Sequence, residues 1–235
     1  MIRKRIWELD ALRGACIVCM VLIHLIWDLS ALFGWIPGAA FLFLKQWGGG
    51  VFFLICGISC CLGSHPVFRG CLVFGCGLLC TAVTVGIYLL GLAGADLCIW
   101  FGTLHCLGTC MLLWPWLRKL PLPVSAALGL LFTCLGVALQ LYPAAGPVWL
   151  LPLGFYPPDF ATADYFPLLP YLGIFLLGTC LGRTVYKNKT GLFPDSVGAK
   201  AGFRFLCFCG RHALQIYLLH QPILAVGLFC ICRLS

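Results

Sequence analysis

The first apolar stretch of the chain carries four ionisable residues on one predicted helical face. The stretch LDALRGACIVCMVLIHLIWDL contains Asp10, Arg13, His24 and Asp28. An α-helix turns about 100° and rises about 1.5 Å per residue, so Arg13 and His24 point in nearly the same direction about 16 Å apart. Asp10 precedes Arg13 by one turn, and Asp28 follows His24 by one turn. Ionisable residues at membrane depth usually face a bundle interior or a wet cavity, so we interpret this stripe as functional.

The residue types of this stripe suit acyl transfer. A histidine can take a proton from an attacking amine or hydroxyl. A neighbouring carboxylate can fix its tautomer and stabilise the imidazolium, which is the role we predict for Asp28 beside His24. Arginine binds phosphates of a donor such as acetyl-CoA bidentately. Two simpler interpretations stay open: Arg13 can snorkel at the helix start, and Asp28 can lie among lipid headgroups.

Further polar residues interrupt the later apolar stretches. His105 lies in FGTLHCLG, Asp164 in DYFPLLPYLG, and GRHALQIYLLHQP holds Arg211, Tyr217 and His220. We expect an acceptor-side cavity that combines His24 and Asp28 with His105, Asp164, Tyr217 and His220. The alternative for His105 and Asp164 is that each caps the start of a helix, where a carboxylate meets the positive end of the helix dipole.

The elements that must position these residues are membrane helices. The 235-residue chain is 62% hydrophobic and 9% charged, with a mean hydropathy of +1.05, which excludes an ordinary soluble domain. A spanning helix needs about 20 apolar residues. We predict a single all-α, polytopic domain over 1–235 with about seven transmembrane helices, at 9–31, 41–63, 67–91, 103–117, 122–142, 165–183 and 210–232.

The distribution of charge predicts the orientation. With seven spans and the N-terminus inside, only Lys45 and Arg233 of the 15 basic residues fall outside, as the positive-inside rule requires. The net charge of +8 therefore reflects the membrane topology. The sequence shows no compact basic domain of the kind that binds nucleic acid. A basic inner face also attracts anionic lipid headgroups.

The 17 cysteines lie mostly in apolar stretches, where a free cysteine packs as a small hydrophobe. Cys16 and Cys19 form a C-x-x-C, but they lack the second pair of ligands that a zinc site needs. We therefore predict no metal.

The ordered motifs resemble a known family. The pieces are Asp10, Arg13, His24 and Asp28 in the first helix, followed by FFLICGIS at 52–59, FGTLHCLG at 101–108, DYFPLLPYLGIFLLG at 164–178 and GRHALQIYLLHQP at 210–222. Together they resemble the heparan-α-glucosaminide N-acetyltransferase catalytic-domain family and its bacterial members. The first helix is also similar to membrane acyltransferases whose mark is a basic residue, ten residues and a histidine.

The resemblance implies an enzyme that moves an acetyl group from cytoplasmic acetyl-CoA to an amine or hydroxyl on the far side of the membrane. His24 would be the general base or a transient acetyl carrier, oriented by Asp28. Arg13 and Arg211 would bind the donor phosphates, helped by Arg69 or Arg204. Some eukaryotic members carry asparagine at the position of His24 and a catalytic histidine in the next loop, but this chain has no histidine between His24 and His65.

The expected acceptor is a bacterial cell-envelope sugar or another exported amine or alcohol, and the expected location is the bacterial cytoplasmic membrane. Two other functions stay open. Intramembrane histidine and aspartate can relay protons in a proton-coupled transporter or flippase, although no internal repeat of the kind many transporters carry is evident. A non-catalytic membrane partner is the third alternative, and it predicts that substitutions along the stripe change only stability.

Overall fold

The fold is helical, as predicted. The computed structural model describes residues 5–198 and 200–234, except for the side chains of 231–234, which include the predicted outer residue Arg233. About 75% of the chain is helix. In this described part, β-structure is limited to isolated bridges that join Phe101 to Tyr165 and Ala145 to Tyr156. The all-α fold class is therefore confirmed.

Ten α-helices follow one another along the described residues. They are α1 (Trp7–Phe33), α2 (Ala39–Trp47), α3 (Gly49–Leu62), α4 (Pro66–Leu89), α5 (Thr103–Leu117), α6 (Leu122–Leu141), α7 (Leu168–Thr184), α8 (Asp195–Gly198), α9 (Ala201–Arg211) and α10 (Ala213–Leu234). Short 3-10 helices occupy Ala95–Leu97 and Val148–Leu153.

Glycine and proline set several of the helix ends. The last residue of α1 is followed by Gly34, whose φ of 69° stops the helix, because glycine accepts the left-handed conformation without strain. Pro66 begins α4 at the first helical position, where the missing N–H has no helical partner to lose. Pro121 directly precedes α6.

Each of the seven predicted spans coincides with helical structure, and five described helical segments are long and apolar enough to cross a membrane. These are Trp7–Phe33, Ala39–Leu62, Pro66–Leu89, Leu122–Leu141 and Ala213–Cys230. The helices α5 and α7 have 15 and 17 residues, so they are about 22 and 25 Å long, short of a hydrocarbon core of about 30 Å. The count of seven spans and the inside N-terminus stay predictions.

The chain forms two compact units, of which the first comprises Met1–Ile55 and Asn188–Ser235. In this unit α9 packs along α1, and the two backbones touch at a pair of glycines. A Cβ at Gly14 would overlap the carbonyl of Leu206, and a Cβ at Gly210 would overlap that of Asp10. Small residues permit such close approach of helices. Next to this crossing, Ile17 of α1 packs with Cys209 and Ala213.

The second unit, Cys56–Lys187, pairs α4 with α5 and α6 with α7, and α5 also contacts α7. Its α5 is mostly buried, as Met111 at 2% exposure illustrates. Arg183, in the last turn of α7, donates to the Leu120 carbonyl at 3.0 Å and to the Ser125 hydroxyl at 3.3 Å. This arginine therefore ties α7 to the beginning of α6. The single-domain prediction for 1–235 stays a prediction.

Candidate active site

Two histidines meet where the C-terminal half of α1 lies beside α10. The ring centroids of His24 and His220 are 4.8 Å apart, and their planes are inclined by 59°. His24 is half-buried, and His220 is buried at 9% exposure. The histidine that the sequence singled out as catalytic therefore contacts a second imidazole from the other end of the chain.

Hydrogen bonds orient the groups on both helices. The Gln221 amide donates to Asp28 Oδ2 at 3.0 Å. His220 Nδ1 lies 2.6 Å from the Tyr217 carbonyl oxygen. A carbonyl only accepts, so Nδ1 carries the hydrogen and Nε2 is the accepting nitrogen of the neutral ring. The Tyr217 ring also contacts His220, with centroids 5.6 Å apart.

A lysine from α2 completes this cluster. Lys45 Nζ lies 2.9 Å from the centroid of the Trp27 ring, a cation–π arrangement. Asp28 and Lys45 bring one negative and one positive charge close to the His24 imidazole, which His220 contacts.

The N-terminal part of α1 carries the other half of the predicted stripe. Arg13 donates to Asp10 Oδ1 at 2.9 Å and to the Gly210 carbonyl at 3.4 Å. The Arg13 and Asp10 side chains are 20% and 13% exposed, and the Arg5 guanidinium reaches the same carboxylate at 4.0 Å. Arg13 therefore neutralises Asp10 within its own helix and also contacts α9.

A cavity of about 720 Å³ opens beside the start of α1 and along α9. Three of its lining residues, Arg5, Arg204 and Arg211, are arginines, and Asp10 is its acidic residue. The indole of Trp7 and the ring of Phe208 belong to its walls. The structure thus brings the predicted donor ligands Arg204 and Arg211 into one basic cavity, with Arg13 adjacent through its bond to Asp10.

His105 and Asp164 lie together in the second unit, at the start of α5. Asp164 accepts from the Thr103 N–H at 2.8 Å and from the Thr103 hydroxyl at 3.2 Å. His105 Nδ1 accepts from the Gly102 N–H at 3.3 Å, and its Nε2 is 3.4 Å from the Thr81 hydroxyl. These contacts are those of helix caps, the alternative left open by the sequence. That these residues share a cavity with His24 stays a prediction, and Arg69 lies exposed in the same unit.

Tyr165 anchors the segment that carries Asp164. Its hydroxyl donates to the Leu151 carbonyl at 2.7 Å, and its ring packs against Tyr156 and Phe160 with centroids 5.7 and 5.3 Å away. Burial raises the pKa of the Tyr165 hydroxyl above its usual value, so the hydroxyl stays protonated and keeps this bond.

Comparison with known proteins identifies the family. The family model described as heparan-alpha-glucosaminide N-acetyltransferase, catalytic, matches residues 5–222 of the 235-residue chain. The chain belongs to the heparan-α-glucosaminide N-acetyltransferase catalytic-domain family. A search of curated proteins gave no match, and a search of solved structures gave none either. The matched range includes both histidines of the cluster, the cavity arginines and the predicted acceptor-side residues.

Membership of the heparan-α-glucosaminide N-acetyltransferase family makes the chain an acetyltransferase-type catalytic domain, and its five long apolar helices make it an integral membrane protein. Among the described residues, no group of three or more histidine, cysteine, aspartate or glutamate side chains is arranged to hold a metal ion. The prediction that the chemistry uses no metal stays a prediction.

The sequence did not single out three residues of these sites. Gln221 and Trp27 acquire their importance from contacts with residues of other helices, and Arg5 from its approach to Asp10 in the cavity. A polar residue directly after His220 was the available signal for Gln221. Lys45 was noted only as an exception to the charge rule, although a lysine within an apolar segment is itself a sign of function.

Proposed function

We propose that this member of the heparan-α-glucosaminide N-acetyltransferase family transfers acetyl from cytoplasmic acetyl-CoA to an amine or hydroxyl of an extracytoplasmic acceptor. The acceptor class is a sugar of the bacterial cell envelope. The observation that carries the proposal is the contact of His24 with His220 in an acetyltransferase-type domain. The arginine-lined cavity toward the other end of α1 supports it.

The cavity suits the phosphates of the donor. Arg5, Arg204 and Arg211 present guanidinium groups, which match phosphate oxygens in charge and in geometry. The Asp10 carboxylate would repel phosphates, but Arg13 pairs with it at 2.9 Å. Arg13 therefore favours donor binding through Asp10 as well as by its own charge. The exposed Arg69 stays a proposed helper.

The length of α1 suits the reach of the donor. Arg13 and His24 are separated by about 16 Å along the helix axis, a distance of the order of a pantetheine arm. A donor with its phosphates at the cavity would then present its thioester near the histidines. His24 takes the proton of the acceptor as that group attacks the thioester carbonyl, and Asp28 balances the imidazolium that forms.

We assign the remaining predicted residues to binding of the acceptor. Tyr217 and His220 contact one another beside His24. His105 and Asp164 fix the start of α5, and they contribute to acceptor binding by shaping that end of the second unit.

Donor binding is tested first, with purified protein and acetyl-CoA in a calorimeter. Removing one guanidinium from a charge-assisted phosphate contact costs about 1.5–3 kcal/mol, so Arg204→Ala and Arg211→Ala should each weaken Kd at least about tenfold. Arg118→Ala, at an exposed arginine in the second unit, is the matched control and should bind normally. Absence of binding at millimolar acetyl-CoA by folded wild-type protein would overturn the proposal and favour the transporter alternative.

Acetyl transfer is tested in proteoliposomes with radiolabelled acetyl-CoA and glucosamine as the acceptor probe. We expect His24→Ala to lower kcat about 10²- to 10⁴-fold, the usual contribution of a general base. His212→Ala is the matched control because His212 is exposed and its ring packs against Phe208. Full activity of His24→Ala would exclude the assigned role. Exchange of labelled CoA into acetyl-CoA without acceptor, present in wild type and lost in His24→Ala, would identify His24 as an acetyl carrier instead of a base.

A further inference from the structure

We propose that His220 is a second acid–base group of the transfer, which shares one proton with His24, and that Gln221 is a positioning residue that holds Asp28 beside the pair. This inference rests on the proposed function, since it assigns roles within the same acetyl transfer. It changes His220 from a residue that only lines the acceptor side to one that exchanges a proton with the reacting groups.

The first argument is the geometry between the two helices. His24 and Asp28 are one turn apart on α1, and their partners on α10 are the consecutive residues His220 and Gln221. One contact places imidazole against imidazole, and the other fixes the carboxylate by a hydrogen bond of 3.0 Å. A hydrogen bond at this position holds the charge of Asp28 close to the pair without using a proton of either ring.

The second argument is the tautomer of His220. Its Nδ1–H is held by the Tyr217 carbonyl at 2.6 Å, and a backbone carbonyl cannot release that hydrogen bond by changing protonation. Proton exchange is therefore confined to Nε2. Fixing one nitrogen so that the other works as acid or base is how orienting groups serve catalytic histidines.

The third argument is the charge around the pair. Within the part of the chain that the structure describes, the charged or titratable groups near the pair include Asp28 from α1, Lys45 from α2 and Tyr217 from α10, and Gln221 is neutral. Two imidazolium rings in contact repel one another, and Lys45 adds a third positive charge. One carboxylate offsets one imidazolium. The pair is therefore suited to hold a single proton, which either ring can carry.

The proposed step begins with His24 neutral and His220 protonated. The acceptor nitrogen or oxygen forms a bond to the acetyl carbonyl carbon, and His24 takes the acceptor proton. The bond from that carbon to the CoA sulfur breaks, and the leaving thiolate takes the proton from His220 Nε2. The products are the acetylated acceptor, CoA thiol, protonated His24 and neutral His220. Transfer of the proton from His24 to His220 Nε2 then restores the starting state, with no other reactant.

A double-mutant cycle tests whether the two histidines act as a unit. We expect His24→Gln and His220→Gln each to lower kcat about 10²-fold or more, and the double variant to be no worse than the poorer single variant by more than a few-fold, because groups that act together are non-additive. His212→Gln should match wild type. Multiplicative losses in the double variant, or full activity of His220→Gln, would overturn the inference.

The pH profile of kcat/KM assigns the two roles. Wild type should give a bell-shaped profile. At low pH the pair holds two protons and lacks the base, and at high pH it holds none and lacks the acid, so kcat/KM falls at both ends. His24→Gln should lose the limb at low pH, and His220→Gln the limb at high pH. A bell-shaped profile of kcat/KM like that of wild type in both variants would contradict the shared proton.

The role of Gln221 is tested by removing its amide and by exchanging the amide and the carboxylate between α10 and α1. Gln221→Ala should lower kcat about tenfold with the acetyl-CoA Kd unchanged, since it leaves Asp28 without the observed bond. Asp28→Asn should lose activity, and the combination of Asp28→Asn with Gln221→Glu should recover part of it, because this exchange restores one amide and one carboxylate. A Gln221→Ala variant that loses acetyl-CoA binding and thermal stability together with kcat would indicate a merely structural role and contradict the inference.

A measurement on the unmodified protein covers the case in which these variants do not fold. The rate of wild-type transfer is followed in mixtures of H₂O and D₂O, where a curved dependence indicates two protons in the limiting step and a straight line one. A straight line would contradict the two-histidine relay. Failure of the proposed function is recognised separately, since wild type would then neither bind acetyl-CoA nor transfer acetyl.

Discussion

Substituting Gly210 by alanine tests the crossing of α1 and α9 most directly. A Cβ at Gly210 overlaps the Asp10 carbonyl oxygen and lies 2.8 Å from its carbon and 2.9 Å from the Gly14 nitrogen. All three atoms are backbone, so no side chain can rotate away, and the two helices must separate. Gly202 is in the same helix, and a Cβ there meets nothing within 4 Å, which makes Gly202→Ala a matched control.

The expected magnitude follows from two opposing effects. Overpacking a tight contact costs about 1–3 kcal/mol, whereas exchanging glycine for alanine within a helix gains up to about 1 kcal/mol. Gly202→Ala has only the gain in helix propensity, whereas Gly210→Ala has this gain and also the cost of overpacking. The two variants should therefore differ by about 2 kcal/mol in free energy of unfolding, which corresponds to roughly 4–8 °C in Tm for a chain of this size.

The assay is thermal unfolding in detergent, followed by circular dichroism and by reaction of a fluorescent thiol probe. Cys207 and Cys209 are 8% and 5% exposed on α9, so loosening of this helix should also speed their labelling before the main transition. Acetyl-CoA binding should weaken in Gly210→Ala, since Arg211 is the next residue and lines the cavity. Equal Tm values for Gly210→Ala and Gly202→Ala would refute the close crossing.

Two further substitutions test the second unit by the same unfolding assay. Asp164→Asn should lower the free energy of unfolding by about 1 kcal/mol, because it removes the negative charge that caps α5 through Thr103. Asp159→Asn, at an exposed aspartate, is the control. Equal effects of the two substitutions would contradict the cap. Arg183→Ala should cost about 1–3 kcal/mol, because it leaves the buried Ser125 without the arginine that donates to it, and a stability within error of wild type would disprove that anchoring.

Hydropathy predicted where the helices lie, and prolines marked several of the helix starts. Pro66 and Pro121 end up at or just before helix starts, as their positions in the sequence indicate. The span predicted at 165–183 begins three residues late in the structure, at Leu168. The residues before it are bound to other elements, because Asp164 caps α5 and Phe166 donates to the Phe101 carbonyl. Such long-range bonds leave no mark on local hydropathy.

Helix α9 was not predicted, because its apolar residues are interrupted by glycine and arginine. Phe203, Phe205 and Phe208 stand among Arg204 and Arg211, so the average hydropathy falls below that of a span. The amphipathic pattern of the segment was the signal that would have found it. A window chosen for transmembrane helices does not detect a helix that is apolar on only one side.

The chemistry of the stripe was accessible from α1 alone, but the bond of Asp28 with Gln221 was not. Helical spacing predicted that Asp10 and Arg13 share a face, and their bond of 2.9 Å confirms that proximity. His24 and His220 were expected to share one cavity, and their rings lie 4.8 Å apart. The bond of Gln221 with Asp28 depends on the register of α1 against α10, which no local pattern encodes. The catalytic assignments of His24 and Asp28 stay predictions, as do the roles of the acceptor-side residues.

The bond between Arg13 and the Gly210 carbonyl joins residues 197 positions apart, and this separation has a consequence for biosynthesis. At about 5–20 residues per second, the ribosome needs roughly 10–40 s to produce the partner of α1 after the helix itself has emerged. During that interval α1 lacks α9. The ion pair of Asp10 with Arg13 within α1 neutralises both charges until α9 is made. The helix made first is thus completed by a helix made near the end of synthesis, so a ribosome that stops early releases a chain in which α1 lacks α9.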